Sequence, residues 1–303
     1  MPAPAIGVFL PTLAARGEPP ADVVAAARHA EDLGFESVWA VDQLVAGTGV
    51  PILDSGTVLA AAAGATRRVR LAYGVMIVPL RPVVWAAKQV ASLQQLSGDR
   101  VILGVGVGGD RHGRSWVAAG VPRRERGRRT DAALAVLPDL IAGKPATVDG
   151  AEVTLSPGAN VPPIVVGGTA EAALARAAAH GDGWFSLPVA PPLVAETAER
   201  LAALAHAAGR PVPTVTGSTM VAIDGDPALP SPPALVRAMA DPDGLYGMPA
   251  EAVPDALVTG GPEAVSARLA GLAEIGAERV VVTLTAGDWF RQAELLAEAA
   301  RGL

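Results

Sequence analysis

Short apolar runs alternate with longer amphipathic segments along this chain, and that alternation constrains its fold more than any other feature. The runs are Ile6–Leu10, Ser37–Val41, Val69–Val78, Val101–Val105, Ile164–Val166, Gly183–Ser186, Val212–Ile223 and Arg279–Leu284, eight strand candidates. Between and after them, apolar residues recur at three- and four-residue spacing, the helical period. The helix candidates cover Ala21–Leu33, Asp54–Thr66, Val83–Leu96, Arg126–Ala142, Ala170–His180, Pro192–Ala208, Pro262–Ile275 and Trp289–Arg301. Strands this short and this continuously apolar are buried on both faces, as parallel strands under crossover helices are. Eight such units predict a closed (β/α)8 barrel, an α/β TIM barrel, in a single domain over residues 1–303. Two α/β halves divided near residue 150 are the alternative.

Two segments fall outside the alternation. Residues 145–156 contain Asp149-Gly150 between short alternating runs, which predicts a hairpin insertion. Residues 224–259 are rich in proline, glycine and aspartate and too long for an ordinary connection, so they are expected to form an active-site loop or lid.

Composition narrows the function. With no cysteine, disulfides, thiolate metal sites and a cysteine nucleophile are excluded. A net charge of −6 argues against a general nucleic-acid surface, which needs a basic face to replace counterions. The start of the chain has no basic segment followed by an apolar run, and no membrane-length apolar stretch occurs, so a cytoplasmic protein acting on a small molecule is expected. HExxH, a serine-centred elbow and a carboxylate cluster are all missing, so hydrolysis and metal catalysis have little support.

In a (β/α)8 barrel the C-terminal ends of the strands face the site. Asp42 and Gln43 end the second strand there, against the bland reading of Asp42 as a loop cap or arginine partner. Gly74 interrupts the third strand, and the fourth runs into Gly104, Gly106, Gly108 and Gly109, where a flat ligand can approach backbone as readily as another strand can. The dinucleotide reading of that loop fails, because the GxGxxG spacing into a helix is absent. Gly167-Gly168-Thr169 precedes a helix and is either an anion cradle or a plain threonine cap. Of four histidines, His29, His180 and His206 fall on helices and His112 alone follows a strand, so it is the candidate for proton transfer.

These pieces resemble the bacterial luciferase-like superfamily, and within it the oxidoreductases that use the deazaflavin F420. The resemblance is carried by Gly7-Val8-Phe9-Leu10-Pro11, Ala30–Trp39 leading to Asp42, Pro79-Leu80-Arg81-Pro82, Leu96–Arg100, Leu103–Gly106, Gly167-Gly168, Gly181–Trp184 and Gly276–Val280. It implies a cofactor ring at the C-terminal mouth, backed by a non-prolyl cis peptide at Gly74-Val75. It further implies a ring contact at Gly108, a phosphate loop at Gly167 and Gly168, next to Thr169 of the anion-cradle reading, and a basic segment, Arg126 to Arg129, beside the acidic cofactor tail. Asp42 would position the ring, Gln43 would bond to ring or substrate, and Trp39, Trp85 and Trp184 would shape the substrate pocket. A homodimer is usual in the superfamily. Two residues depart from the F420 pattern: Gln43 stands where a histidine is usual, and Ser115 where glutamate is common. A carboxamide hydrogen-bonds but is no general base near neutral pH. The leading expectation is F420-dependent hydride transfer to or from a small organic substrate. The alternatives are an FMN-dependent monooxygenase supplied by a separate reductase, and a barrel that binds a flavin or other ligand without turnover.

Overall fold

The structure, a computed structural model, describes residues 3–14, 17–109, 113–242 and 246–303. Its strands are β1 (Ala5–Phe9), β2 (Ser37–Ala40), β3 (Arg70–Tyr73), β4 (Met76–Ile77), β5 (Val101–Gly106), β6 (Ala146–Val148), β7 (Ala151–Val153), β8 (Ile164–Gly167), β9 (Gly183–Pro188), β10 (Thr214–Ile223), β11 (Leu257–Gly260) and β12 (Ala277–Leu284). Parallel pairing runs β1, β2, β3, β5, β8, β9, β10, β12 and returns to β1, which closes an eight-stranded barrel. The predicted (β/α)8 architecture is therefore the observed one, and the two-halves alternative is excluded.

Around the barrel lie α1 (Val23–Asp32), α2 (Ser55–Ala65), α3 (Val83–Ser97), α4 (Arg114–Ala118), α5 (Arg126–Ala142), α6 (Glu171–His180), α7 (Pro191–Ala207), α8 (Pro232–Ala240), α9 (Val253–Ala256), α10 (Pro262–Glu274) and α11 (Trp289–Ala300). Several begin on aspartate caps. Asp22 accepts from the amides of Val24 and Ala25, Asp54 from Thr57 and Asp288 from Arg291, so each satisfies donors that the first turn leaves unpaired. Gly34 follows α1 with φ +87°, the left-handed geometry that turns the chain into β2.

Strand parity splits the core in two. Outward residues such as Val8, Val38, Leu71, Leu103, Val166 and Val282 pack under the helices. Inward residues Trp39, Ala72, Ile102, Val165 and Val281, flanked by Phe9 and Phe185, fill the barrel. Where strands are closest, glycine is required: a Cβ on Gly7 would stand 2.5 Å from Ser37 Oγ and 2.7 Å from Trp39 Nε1.

Three features differ from expectation. The third strand breaks after Tyr73 and resumes as β4, so that the four-residue step from Ala72 to Met76 opposes the three-residue step from Ile102 to Val105. That extra residue is a bulge. Residues 145–156 do form the predicted hairpin, β6 with β7. The 224–259 segment is more than loop, because Leu235, Met239, Val253, Ala256 and Leu257 bury against Met220 and Ala222 in a satellite core, and β11 adds a strand beside β10. Among the described residues no helix is long and apolar enough to cross a membrane.

Candidate active site

The bulge defines the mouth of the barrel. The Gly74–Val75 peptide is cis, and the Val75 side chain lies over β5 and β8. A Cβ added to Gly106 would stand 2.5 Å from Val75 Cγ2, one on Gly104 2.9 Å from Val75 Cγ1, and one on Gly167 3.2 Å from that same Cγ1. Gly104 would also meet the Tyr73 carbonyl oxygen at 2.0 Å. These glycines of β5 and β8 thus make room for the bulge itself. On the other side, Gly74 meets the Phe9 ring and Trp39, so the bulge is wedged between two walls of the barrel.

Asp42 braces this arrangement from β2. Its Oδ2 accepts from the Ile77 amide at 2.7 Å and its Oδ1 from Ser55 Oγ at 2.8 Å. The Arg81 guanidinium donates to both oxygens at 2.8 and 2.7 Å. The carboxylate is 3% exposed, so its lone pairs serve the protein frame, and its hold on Ile77 fixes where the bulge ends. Tyr73, buried beside this pair, has its phenol pushed well up by desolvation and stays protonated.

Gln43 and Ser115, the two departures from the F420 pattern, form one hydrogen-bonded unit. Gln43 Nε2 donates to the Val45 carbonyl at 2.9 Å. Ser115 Oγ donates to that same carbonyl at 3.3 Å and accepts the Val45 amide at 3.1 Å. Arg114 adds a bond to the Gly47 carbonyl at 2.6 Å. The loop after β2 is thereby stapled to α4. His112 lies outside the described residues. Among those described, the imidazoles of His29, His180 and His206 belong to α1, α6 and α7, so no imidazole reaches the mouth from them.

Gly108, with φ +77°, packs close to the bulge exit, its added Cβ 2.7 Å from Ile77 Cγ2 and 3.1 Å from Trp116. Beyond β8, the Gly168 carbonyl accepts from Trp184 Nε1 at 2.7 Å and the Gly168 amide donates to Phe185 O at 3.3 Å. Thr169 is exposed and is not the cap. Ala170 takes that position with no side-chain bond, so the threonine-cap reading fails and the start of α6 is left without a side-chain acceptor. Glu171 in its first turn pairs with Arg200. The first turn of α5 lies against α6, with Gly127 close to Arg176. Arg128 and Arg129 are paired with Glu125, whereas the side chain of half-buried Arg126 forms no ion pair or hydrogen bond among the described residues.

The large cavity opens elsewhere on the mouth, between the ends of β1 and β12 and the α8 region. Its volume is about 730 Å³, and its walls include Phe9, Val41, Val50, Leu235, Met239, Tyr246, Trp289 and Phe290. None of the three tryptophans expected to shape a substrate pocket is in these walls. Trp39 is inside the barrel, stacked on Phe185 at 5.1 Å and donating to Ser37 Oγ. Trp184 points outward into the helix-covered core, because its neighbour Phe185 takes the inward position. Trp85 is 65% exposed on the first turn of α3. The indole in the cavity is Trp289, held by a 3.0 Å bond from Nε1 to Phe9 O. The signal for it was present in Thr285-Ala286-Gly287-Asp288-Trp289-Phe290, an aromatic pair just past the last strand. Phe9 joins the two regions, touching both the bulge and the cavity.

Comparison with known proteins agrees with this geometry. A family model described as luciferase-like monooxygenase matches residues 5–229. An uncharacterized protein of Mycobacterium tuberculosis is 36% identical over 143 residues, 45% of this chain and 49% of that one. The 4-hydroxyprotoasukamycin monooxygenase of Streptomyces nodosus subsp. asukaensis is 32% identical over 144 residues, 45% of this chain and 37% of that one. The match therefore spans half or less of the length of these curated relatives. Among solved structures, an F420-dependent secondary alcohol dehydrogenase in complex with an F420-acetone adduct superposes with a TM-score of 0.81 at 19% identity, covering 99% of this chain and 98% of that one. With most of its length matched by the family model and the barrel intact, the chain belongs to the luciferase-like monooxygenase family.

Proposed function

We propose that this protein is a flavin-dependent monooxygenase that receives reduced FMN from a separate reductase, the reading named above as an alternative to F420 chemistry. The observation that carries it is the state of Gln43. Its amide is bound to Val45 O, and no imidazole or unengaged carboxylate among the described residues stands beside the bulge. Hydride transfer to or from a carbonyl or alcohol needs a proton-transfer group near the reacting oxygen. Oxygen insertion from a reduced flavin asks chiefly for a dry, shaped space, which the apolar cavity beside Phe9 provides. The monooxygenase relative from Streptomyces supports the same reading.

The residues present suit a flavin. The bulge at Gly74 and Val75 gives a wall for a planar ring, and Gly108 keeps the neighbouring loop close. Arg126 and the uncapped start of α6, at Gly167, Gly168 and Thr169, suit a phosphate. Reduced FMN, when bound, would supply the electrons and activate oxygen. The chain would hold the ring, orient the substrate against Phe9 and exclude water. Asp42 acts in this scheme by fixing Ile77 and hence the bulge.

A second reading, F420-dependent hydride transfer, is favoured by the basic edge of exposed Arg123 and Arg124 with unpaired Arg126, which suits an acidic cofactor tail. Binding without turnover is set aside, because the family is one of enzymes. The deciding experiment is an anaerobic titration with FMN and with F420, followed by fluorescence. Saturable FMN binding is expected, weakened about tenfold by Arg126→Ala, as for loss of one charge-assisted bond. Substrate-dependent oxygen uptake should then follow when a flavin reductase and NADH are added. Tight F420 binding with no FMN binding would overturn the proposal.

A further inference from the structure

The second region of the mouth, the cavity between β1, β12 and α8, has an aromatic lining bordered, among the described residues, by charges of one sign. Phe9, Tyr246, Trp289 and Phe290 give it aromatic walls, and Trp289 and Phe290 meet edge to face at 5.5 Å. The charged groups that border it are all acidic among the described residues: Glu18, Asp241 and Asp288. No lysine, arginine or histidine among the described residues lines it. Two guanidiniums on neighbouring segments are engaged elsewhere, Arg81 with Asp42 and Arg291 with Glu294 and the Gly225 carbonyl. Burial pushes the Tyr246 phenol up to about 12, so at neutral pH it offers a neutral hydroxyl.

A carboxylate or phosphate entering such a space loses hydration and finds no cation among the described lining residues to replace it. An uncharged ring system loses little and gains aromatic contact, and a protonated amine also finds ring faces and rim carboxylates. The volume, about 730 Å³, is in the range that encloses drug-sized molecules. We infer that this cavity takes a lipophilic, aromatic or polycyclic substrate that bears no negative charge. The inference rests on the monooxygenase reading only in treating the cavity as the substrate side of the mouth. The binding preference itself follows from the lining.

The test uses three probes of one shape, 2-acetylnaphthalene, 1-(2-naphthyl)ethylamine and 2-naphthoate, in calorimetric titrations of the full chain with and without FMN. The ketone and the amine should bind with Kd values within a few-fold of each other, and the naphthoate at least tenfold more weakly. Two cavity-filling variants, Val50→Trp and Ala234→Trp, should each weaken ketone binding at least tenfold while keeping Tm within a few degrees of the parent. The double variant Glu18→Gln, Asp241→Asn should weaken the amine several-fold and leave the ketone unchanged. Naphthoate binding equal to or tighter than the ketone would overturn the inference, as would ketone binding untouched by both filling variants. If the probe order holds while FMN fails to bind, the cofactor proposal falls and the cavity assignment stands. If FMN binds and the probe order reverses, only the cavity assignment falls.

Discussion

Several glycines of this barrel are placed by a neighbour's side chain. Gly106 leaves room for Val75, and the crowding is specific to one methyl, at 2.5 Å from the position a Cβ would take. Gly106→Ala should therefore destabilise the protein by about 1–3 kcal/mol, the usual range for overpacking, and adding Val75→Ala should recover part of that loss in urea denaturation. Equal loss in the single and double variants would show that the backbone, not Val75, requires glycine. Gln43 and Ser115 are a second residue-level pair, since both hydrogen-bond to Val45 O. Alanine at either should cost about 1 kcal/mol, and a double-mutant cycle should show coupling of about 0.5 kcal/mol or more. Strict additivity would mean that the two side chains hold Val45 independently of each other. Gln43 was legible in the sequence as a residue at the mouth. Its engagement with a backbone carbonyl was not, because that bond depends on where the chain turns after Gln43.

At the scale of elements, the mouth is held by side chains that tie one strand end to the next. Asp42 links the end of β2 to the start of α2 through Ser55, to β4 through Ile77 and to Arg81 beyond the turn at Val78–Leu80. Removing it strands a guanidinium that is only 22% exposed and a buried amide. Asp42→Ala should cost about 3 kcal/mol, near the low end for breaking a buried pair because Arg81 keeps some solvent. Asp42→Asn, which can still accept from Ile77, should cost less. Thermal melts of both variants check this, and the reverse order would refute the brace. The bland sequence reading of Asp42 as an arginine partner is thus realised together with its place at the mouth. Helix and strand positions were legible because period and caps are local. The short helices α4, α8 and α9 were not, since with so few residues their helicity depends on tertiary packing.

For the whole molecule, closure of the barrel brings together segments from opposite ends of the chain. Glu36, just before β2, accepts from Arg279 of β12 at 2.8 and 2.7 Å, with Arg70 of β3 close by at 3.8 Å. Desolvation tends to raise the Glu36 carboxyl, but the hydrogen bonds and charge of Arg279 outweigh it and hold the group below its ordinary value of 4.5. A depressed folded pKa means that the stabilisation is present above the unfolded value and is lost as pH falls through the folded one. Stability should therefore decline as pH falls below about 4.5, and Glu36→Gln should flatten that acid limb while lowering Tm at neutral pH. An acid limb unchanged in the variant would assign the loss to other carboxylates. Eight strands in order were enough to anticipate closure, because parallel strands buried on both faces leave few other arrangements.

Local patterning determined the order of strands and helices, the hairpin, the aspartate caps and the rule that function gathers at the strand ends. All of these follow from periodicity, chirality and backbone hydrogen bonding within short windows. The tertiary structure alone decided which side chains face which space. A step of one residue along β9 sends Trp184 into the outer core and Phe185 into the barrel, and the cavity indole became Trp289 because α11 starts where it can reach Phe9. Such choices rest on register and close approach between segments hundreds of residues apart, which no local window contains.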